Sequence, residues 1–314
     1  MPEASAASDR IAALGECMLE LTRKPDGALS LGFGGDTLNT AVYLARLGVP
    51  VDYVTALGND AHSDAMIAAW REEGVGCDHV TQIPGRLPGL YMIETDHAGE
   101  RTFLYWRDAA PARELFTLPS APAMMAALEQ VGMIYLSGIS LAIWGVGGRA
   151  VLLPFLDRLR ARGGLVAFDT NWRPRLWPDP DTARSAYDAV LERTDILLPG
   201  EEDLCALYGD ADLAAVTARV RANRAREIVL KLAEPGCRVI VDGHMQDIPA
   251  EKVARVVDTT AAGDSFAAGY LAARRRMPPA DAARAASRLA AAVIQETGAI
   301  IPRERMPCMV GDPD

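Results

Sequence analysis

Short apolar runs of strand length alternate along this chain with segments of helical apolar spacing. Strands that alternate with helices form a mainly parallel sheet covered by helices on both faces, with ligands at the carboxyl ends of the strands. The alternation therefore predicts an α/β fold around such a central sheet. The predicted strands span residues 11–18, 51–57, 133–136, 165–168, 196–198, 228–232 and 239–241, and the predicted helices span residues 36–47, 61–73, 149–162, 181–193 and 213–224.

One region interrupts the alternation with a hairpin pattern. Residues 90–95 and 101–106 are strand-like and flank a turn sequence at residues 96–100, with no helix between them. Residues 19–33 are also strand-like and rich in turn residues. We expect two segments, at about 17–33 and 88–107, to form a small β-sheet that lies outside the main sheet as a lid. The predicted domain spans residues 10–310, and residues 1–9 are expected to be a disordered tail.

The composition is that of an ordinary globular protein, with 50% hydrophobic and 24% charged residues among 314. A chain of this length can bury a large core. No apolar run approaches the roughly 20 residues of a membrane span, and the Ala/Ser-rich, acidic start lacks the order of a signal peptide. We therefore expect a cytoplasmic protein with no membrane partner. The net charge of −10 argues against a nucleic-acid partner, because it repels polyphosphate backbones.

Cysteine and histidine do not suggest a metal or disulfide site. The five cysteines are odd in number, far apart and free of CxxC spacing, which argues against a disulfide framework or a zinc site. The four histidines are equally scattered, so no histidine-based metal site or catalytic triad is predicted. The arginine run at residues 274–276 is expected to be a solvated helix end.

The segment at residues 258–269 is the strongest candidate for chemistry. A predicted strand at 253–257 leads into a small-residue turn and then an Ala-rich helix. A helix start offers unpaired N–H groups and a partial positive charge to a phosphate, and Ala261, Ala262 and Gly263 let an anion come close. Asp264 could then take a proton from a hydroxyl that attacks the phosphate. In isolation, helix capping by Asp or Thr is the commoner reason for such a motif.

A second constellation lies near the start of the chain. The glycine pair Gly34-Gly35 leads directly into a predicted helix that begins with Asp36 and contains Asn39. The glycines leave room for a polyhydroxylated ligand to approach the backbone, and both polar side chains can hydrogen-bond its hydroxyls. Alternatively, Asp36 only caps the helix.

Together these features resemble the ribokinase-like, or PfkB, carbohydrate kinases. The C-terminal signature of that family reads D-T-x-G-A-G-D, and this chain matches it except that Ala261 replaces a glycine. Longer segments are similar to the 2-keto-3-deoxygluconate kinases within the family, and they cover about residues 11–306. These segments are GECMLEL at 15–21, GGDTLNTAVYLARLG at 34–48, LPGLYMIETD at 87–96, GERTFLYWR at 99–107, YLSGISLAI at 135–143, RPRLW at 173–177, DTTAAGDSFAAGYLA at 258–272 and GAIIPRE at 298–304.

The resemblance implies a role for each matching position. Asp264 matches the catalytic base, and Ala261, Ala262 and Gly263 match the anion hole. The implied substrate-binding residues are Gly35, Tyr91, Tyr105, Arg107 and Arg173, to which Asp36 and Asn39 add hydroxyl contacts. Asn171, Lys231 and the loop that ends at Gly236 match nucleotide-binding positions. The implied cofactors are ATP and Mg²⁺, with a monovalent cation as a further candidate.

The magnesium position departs from the family pattern. The family carries an N-x-x-E motif, whereas the aligned residues 200–203 lack the Asn and end in Asp203. We assign Asp203 to magnesium through water, with Glu202 as a reserve. An acidic helix start is the alternative explanation of these carboxylates. Alternatives also stand for other residues: a surface charge or structural ion pair for Arg107 and Arg173, lid packing for Tyr91 and Tyr105, and a surface lysine for Lys231.

The sequence therefore predicts an ATP-dependent kinase that phosphorylates 2-dehydro-3-deoxy-D-gluconate to its 6-phosphate, with Asp264 as general base. A keto-deoxy sugar acid needs a cationic pocket, which Arg107 and Arg173 would supply. The competing hypotheses are a kinase of a neutral sugar such as fructose or ribose, an NAD-dependent dehydrogenase, and a non-catalytic sugar-binding protein. A dehydrogenase would need GxGxxG after the first strand, which is absent. We also expect a homo-oligomer, since the lid sheet has a free edge and an apolar face.

Overall fold

The computed structural model describes residues 8–23, 27–95 and 101–308. The predicted tail at residues 1–9 lies outside the described residues except for Ser8 and Asp9. The predicted hairpin turn at residues 96–100 also lies outside them.

The strands of the described residues form two separate sheets. The strands are β1 (Ile11–Leu14), β2 (Met18–Arg23), β3 (Leu29–Gly34), β4 (Val51–Gly58), β5 (Val80–Ile83), β6 (Leu90–Thr95), β7 (Arg101–Trp106), β8 (Met133–Ser137), β9 (Leu165–Asp169), β10 (Ile196–Leu198), β11 (Glu227–Lys231), β12 (Cys237–Val241) and β13 (His244–Ile248). The main sheet has the order β13-β12-β11-β10-β9-β8-β1-β4-β5. Its neighbouring strands pair in parallel, except that β12 is antiparallel to both β11 and β13 at one edge.

Helices cover both faces of the main sheet, as the alternating pattern predicts. Its central strands are buried on both faces, so they are apolar runs rather than alternating ones. The helices are α1 (Asp36–Arg46), α2 (Ala61–Glu72), α3 (Ala121–Leu128), α4 (Gly138–Ile143), α5 (Gly145–Ala161), α6 (Pro180–Leu191), α7 (Glu201–Tyr208), α8 (Leu213–Arg221), α9 (Ala262–Ala273) and α10 (Pro279–Val293). One core lies under α1, α2, α9 and α10, and the other under α3 to α8.

Local sequence signals explain several helix boundaries. Asp60 precedes α2, and its carboxylate accepts hydrogen bonds from the amides of His62 and Ser63. Asp179 caps α6 in the same way, directly before a proline at the first helical position. Gly48, which follows α1, has φ of +76°, a conformation that glycine adopts without strain.

The second sheet is the predicted lid sheet. It has the order β3-β2-β6-β7, in which two antiparallel hairpin pairs lie side by side through parallel pairing of β2 with β6. The first lid segment thus forms β2 and β3, and the second forms β6 and β7. Strands β3 and β7 are the free edges of this sheet.

One predicted strand is wrong. Residues 253–257 have no strand partner, and Val256 and Val257 are exposed. The amides of Val257 and Asp258 instead bond to the carbonyl of Ile294, just after α10. The apolar run therefore crosses from the sheet edge to α9 as an extended connection.

Other features concern segments that the sequence raised as candidates. The arginine run at residues 274–276 lies at the end of α9, as predicted, although Arg274 also pairs with Glu227. All five cysteines lie within the described residues, and none of them forms a disulfide bond. Among the described residues, no helix is both long enough and apolar enough to cross a membrane.

Candidate active site

The site lies at the carboxyl edge of the main sheet, where α9 begins. Its N-cap residue is Ala261, in a left-handed conformation with φ of +59°, and no side chain caps the helix. The alternative of a simple Asp or Thr cap is therefore wrong. Asp258 has another role: its carboxylate accepts hydrogen bonds from the amides of Thr260 and Gly298 and fixes the turn before the helix.

The uncapped start of α9 is suited to an anion. The first N–H groups of a helix have no acceptor within the helix, and a partial positive charge accumulates there. Lys231 reaches the same place, since a Cβ atom on Gly263 would lie 3.5 Å from its Nζ. Small residues, the amides of the helix start and a lysine together form a cradle whose chemistry fits a nucleotide phosphate.

Asp264 lies in the first turn of α9, beside other acidic groups. Burial raises the pKa of the Asp264 carboxyl to about 7, and the nearby carboxylates of Asp36 and Asp169 act in the same direction. The hydrogen bond from Asn39 and the charge of Lys231 oppose this shift. A carboxylate with a pKa near neutrality can both accept and release a proton at physiological pH.

Helix α1 holds Asp264 from the opposite side. Asn39 Nδ2 donates to Asp264 Oδ2 at 2.8 Å, and Thr40 Oγ1 lies 3.2 Å from the backbone oxygen of Asp264. The predicted cap role of Asp36 is not found, because Gly35 is the N-cap of α1 and no side chain caps it. Asp36 instead accepts a hydrogen bond from Asn171 Nδ2 at 2.7 Å.

The segment after β9 connects three parts of the site. Asp169, at the end of β9, accepts a hydrogen bond from Lys231 Nζ at 2.6 Å. Thr170 Oγ1 donates to Asp203 Oδ2 at 2.8 Å and accepts from the amide of Gly200 at 3.0 Å. Asn171 follows, with a φ of +30°, and makes the bond to Asp36 described above. The sheet thus brings the predicted nucleotide, metal and sugar residues together through adjacent positions.

The surface-lysine alternative for Lys231 is wrong, since its side chain is mostly buried and paired with Asp169. Gly236 closes the turn between β11 and β12, with φ of +109°, and a Cβ atom there would clash with the carbonyl of Ile248. Its need for glycine is therefore explained by backbone packing.

Asp203 is in the first turn of α7, with Glu201 and Glu202, as the acidic-helix-start alternative describes. Among the described residues, no group of three or more His, Cys, Asp or Glu side chains is arranged to hold a metal ion. The donor set therefore fits a magnesium ion only if phosphate and water supply most of its ligands.

The lid meets the core at a buried ion pair between Arg107 and Glu16. Glu16 Oε1 and Arg107 Nε are both buried, and neither has a hydrogen-bond partner among residues 8–23, 27–95 and 101–308. Burial raises the pKa of Glu16, while the charge of Arg107 lowers it. The structural-ion-pair alternative for Arg107 is thus correct, but the pair retains one free acceptor and one free donor.

The remaining predicted sugar residues lie on the lid or beside it. The Tyr91 hydroxyl donates to Glu20, and a Cβ atom on Gly34 would clash with that hydroxyl. Gly35 is equally constrained, because a Cβ atom there would clash with the carbonyl of Glu16. Tyr105 pairs with Tyr91 across β6 and β7 and is half exposed.

Arg173 is exposed, and its Nη1 donates to the carbonyl of Trp172 at 2.7 Å. Four residues of the site escaped prediction: Glu16, Glu20, Asp169 and Thr170. Glu16, Asp169 and Thr170 follow main-sheet strands whose carboxyl ends were predicted to face ligands, and that position was the available signal, whereas Glu20 lies within lid strand β2.

Comparisons with known proteins agree with this geometry. Residues 8–306 match the model of the pfkB family carbohydrate kinases. The chain is 48% identical to a 2-dehydro-3-deoxygluconokinase of Dickeya dadantii over 95% of this chain and 98% of that protein. It is 30% identical to a fructokinase of Klebsiella pneumoniae over 84% and 83%.

A solved fructokinase with bound ATP from Xylella fastidiosa is similar in fold, with a TM-score of 0.80, 25% identity and coverage of 95% of each chain. These matches exclude a Rossmann dehydrogenase. The chain belongs to the pfkB family of carbohydrate kinases.

Proposed function

We propose that this chain is an ATP-dependent 2-dehydro-3-deoxygluconokinase, which phosphorylates 2-dehydro-3-deoxy-D-gluconate at its terminal hydroxyl. The observation that carries the chemistry is the partly buried Asp264 carboxyl in the first turn of α9, which Asn39 holds and whose pKa is raised to about 7. The substrate is supported by the 48% identity over nearly the full length to a kinase of that name, against 30% for a fructokinase.

In this proposal Asp264 accepts the proton of the attacking hydroxyl. The hydroxyl oxygen bonds to the γ-phosphorus of ATP as the bond to the bridging oxygen breaks, and ADP leaves. The amides at the start of α9 hold the oxygens of the transferred group, next to Ala261, Ala262 and Gly263. Closure of the lid over the site would exclude water and so limit ATP hydrolysis.

The acid group of the substrate needs a cation, and the two predicted arginines differ in availability. Arg173 is exposed and has guanidinium donors beyond its bond to Trp172, so we assign it the main contact with the carboxylate. Arg107 already has Glu16 as a partner, and its unpaired Nε is free to bind a hydroxyl or keto oxygen. The free Glu16 Oε1 would accept from a substrate hydroxyl. Gly35, Asp36, Tyr91 and Tyr105 complete the proposed pocket.

Lys231 and Asn171 are proposed to contact the phosphates of ATP, with the turn at Gly236 beside the nucleotide. Mg²⁺, when bound, would offset the phosphate charge, and Asp203 would hold it through water. A monovalent cation is a further candidate near this site. We also propose that the chain forms a homo-oligomer through the lid sheet.

A coupled assay of ADP release tests the activity. It would compare 2-dehydro-3-deoxy-D-gluconate with its galactonate epimer, fructose and ribose, each with MgATP. We expect kcat/KM for the sugar acid to exceed that for fructose by about a hundredfold or more. Fructose has no carboxylate, so its complex would lack about two charge-assisted hydrogen bonds. Faster turnover of fructose would favour a neutral-sugar kinase, and no turnover of any substrate would favour a non-catalytic sugar-binding protein.

The role of Asp264 is tested by Asp264→Asn and by pH. Only the ionised carboxylate accepts a proton, so kcat/KM should rise with pH through a midpoint of about 7 and then level off. The variant should lose several orders of magnitude in kcat, lack this rise and still bind the sugar acid in calorimetry. Near-normal turnover of Asp264→Asn would contradict the assignment.

A further inference from the structure

Asn39 is the sole side chain of the described residues that hydrogen-bonds the Asp264 carboxylate. Its Nδ2 donates to Asp264 Oδ2 at 2.8 Å, and its own Oδ1 is buried and has no partner within the described part of the chain. Asn39 is 5% exposed, so water does not compete freely for this bond. No hydrogen bond to a described residue occupies the other oxygen of the carboxylate, Asp264 Oδ1.

We infer that Asn39 is a positioning residue for the base, which fixes one carboxylate oxygen of Asp264 and leaves the other for the attacking hydroxyl. This inference rests on the proposed function, because it takes Asp264 to be the base. The predicted contact of Asn39 with a sugar hydroxyl would then use its Oδ1, because its Nδ2 is bound to Asp264.

The helix that carries Asn39 is itself anchored at the site. The amide of Asn39 bonds to the carbonyl of Gly35 at 2.8 Å, so Asn39 lies one turn after the glycine pair. The Oγ1 atom of the next residue, Thr40, lies 3.2 Å from the backbone oxygen of Asp264 and 3.2 Å from the hydroxyl of Tyr135. The donor is therefore held on a rigid helix rather than on a loop, which gives the carboxylate a defined orientation.

The bond also favours the ionised form of the base. A donor stabilises a carboxylate over the neutral acid, so Asn39 opposes the rise in pKa that burial causes. Without it, the base would be protonated over a wider range of pH. The titratable groups that surround Asp264 are Asp36 and Tyr43 of α1, Tyr135 of β8, Asp169 of β9 and Lys231 of β11.

The test measures the pH dependence of kcat/KM in two shape-conserving variants. Asn39→Leu removes the donor, and Asn39→Asp replaces it with a second acid. We expect the midpoint of the rise to move up by about one pH unit in Asn39→Leu and further in Asn39→Asp. At pH 7 the rate of Asn39→Leu would fall about fivefold beyond any loss at high pH. The midpoint does not depend on how much of a variant is folded, so partial misfolding leaves the test valid.

Thr40→Val is the matched control. Thr40 lies beside Asn39 and bonds to Asp264 only at the backbone oxygen, not at the carboxylate, so the midpoint of this variant should stay that of the wild type. A raised KM for the sugar acid with an unshifted midpoint in both Asn39 variants would assign Asn39 to the substrate and overturn the inference. If kcat/KM of Asp264→Asn still rises with pH through the wild-type midpoint, Asp264 is not the base and the proposed function fails. The two results therefore distinguish failure of the inference from failure of the proposed function.

Discussion

Ala261 is the residue at which this chain departs from the family signature, and its backbone explains the usual glycine. With φ of +59° it lies in the left-handed region, which costs an L-residue about 1–2 kcal/mol. Three other non-glycine residues of the described part share a positive φ, and one of them, Asn171, also belongs to the site. Backbone strain thus concentrates partly where the phosphate is proposed to bind.

The strain predicts that Ala261→Gly stabilises the protein. Glycine relieves the strain of the left-handed conformation in the folded state, but it also stabilises the unfolded chain by roughly 0.5–1 kcal/mol through its greater conformational entropy. The first free energy should exceed the second. We expect a gain of up to about 1 kcal/mol, measured by urea unfolding. The matched control is Gly209→Ala, after α7, where φ is +75° and a Cβ atom would meet open space. That variant should lose about 1 kcal/mol; if Ala261→Gly loses stability too, residue 261 carries no net strain.

The residue scale also marks the limit of prediction from sequence. Asp264 was identifiable because a helix start, small residues and an acid occur together within a few positions. The partners of Arg107 and Lys231 were not, since Glu16 and Asp169 lie far from them in the sequence. Asp169 and Lys231 meet because β9 and β11 end at the same edge of the main sheet, and Glu16 and Arg107 meet where the lid sheet joins the main sheet. A long-range ion pair leaves no periodic trace in one sequence.

At the scale of elements, the segment that follows β9 is a rigid connection rather than a loose loop. Thr170 is fully buried, and its carbonyl accepts a hydrogen bond from the Tyr187 hydroxyl of α6 at 2.6 Å. Its own hydroxyl bonds to Asp203 and to the amide of Gly200, as described above. Thr170 therefore joins β9 to the start of α7, where magnesium is proposed to bind.

Thr170→Val should separate the nucleotide side of the site from the sugar side. Valine keeps the shape but removes both hydroxyl bonds, which frees Asp203 and leaves the Gly200 amide unpaired. We expect KM for MgATP to rise about tenfold while KM for the sugar acid changes much less, in steady-state kinetics with each substrate varied. Tyr187→Phe is the control, since it removes only the bond to the Thr170 carbonyl. Similar changes for both substrates would mean that the hydroxyl only supports the fold.

Elements were predicted best where their period was clear. The hairpin strands β6 and β7 and the short strand β10 have the predicted bounds, and the five helices whose bounds were predicted, α1, α2, α5, α6 and α8, differ by at most four residues at either end. The exposed strand β13 was missed because four of its five residues are exposed, so it carries no apolar pattern. Residues 253–257 failed for the opposite reason, since their apolar run has no neighbouring strand. Composition does not reveal whether a strand finds a partner.

At the scale of the whole molecule, the lid sheet leaves apolar side chains exposed on its two edge strands. One face of the lid sheet carries two rows of apolar residues that run across the strands. Each row has one residue from each of the four strands, and we call this surface the apolar lid face. Leu31 and Leu104, at the ends of one row, are 52% and 39% exposed, and Trp106 is 58% exposed. The rows are Leu31, Leu21, Met92 and Leu104, and Phe33, Leu19, Leu90 and Trp106.

A second copy of this chain is the expected partner of the apolar lid face. The face is apolar across all four strands, and β3 and β7 offer unpaired edges on which another lid sheet can align. Such pairing would also steady the paired strands β6 and β7, which carry Tyr91 and Tyr105. Substrate binding and assembly are then linked, because both depend on the order of the same sheet.

We therefore expect Leu31→Glu combined with Leu104→Glu to dissociate the oligomer. Each buried leucine contributes about 1.5–3 kcal/mol at an interface, so the pair should weaken association by a factor of a hundred or more. Sedimentation equilibrium at micromolar concentration would show the mass of a single chain for the variant and a multiple of it for the wild type. Val146→Glu, at a residue 74% exposed near the start of α5, should leave the mass unchanged. A wild-type protein that sediments as a single chain would contradict assembly through the lid. A raised KM for the sugar acid in the dissociated variant would support the link between assembly and substrate binding.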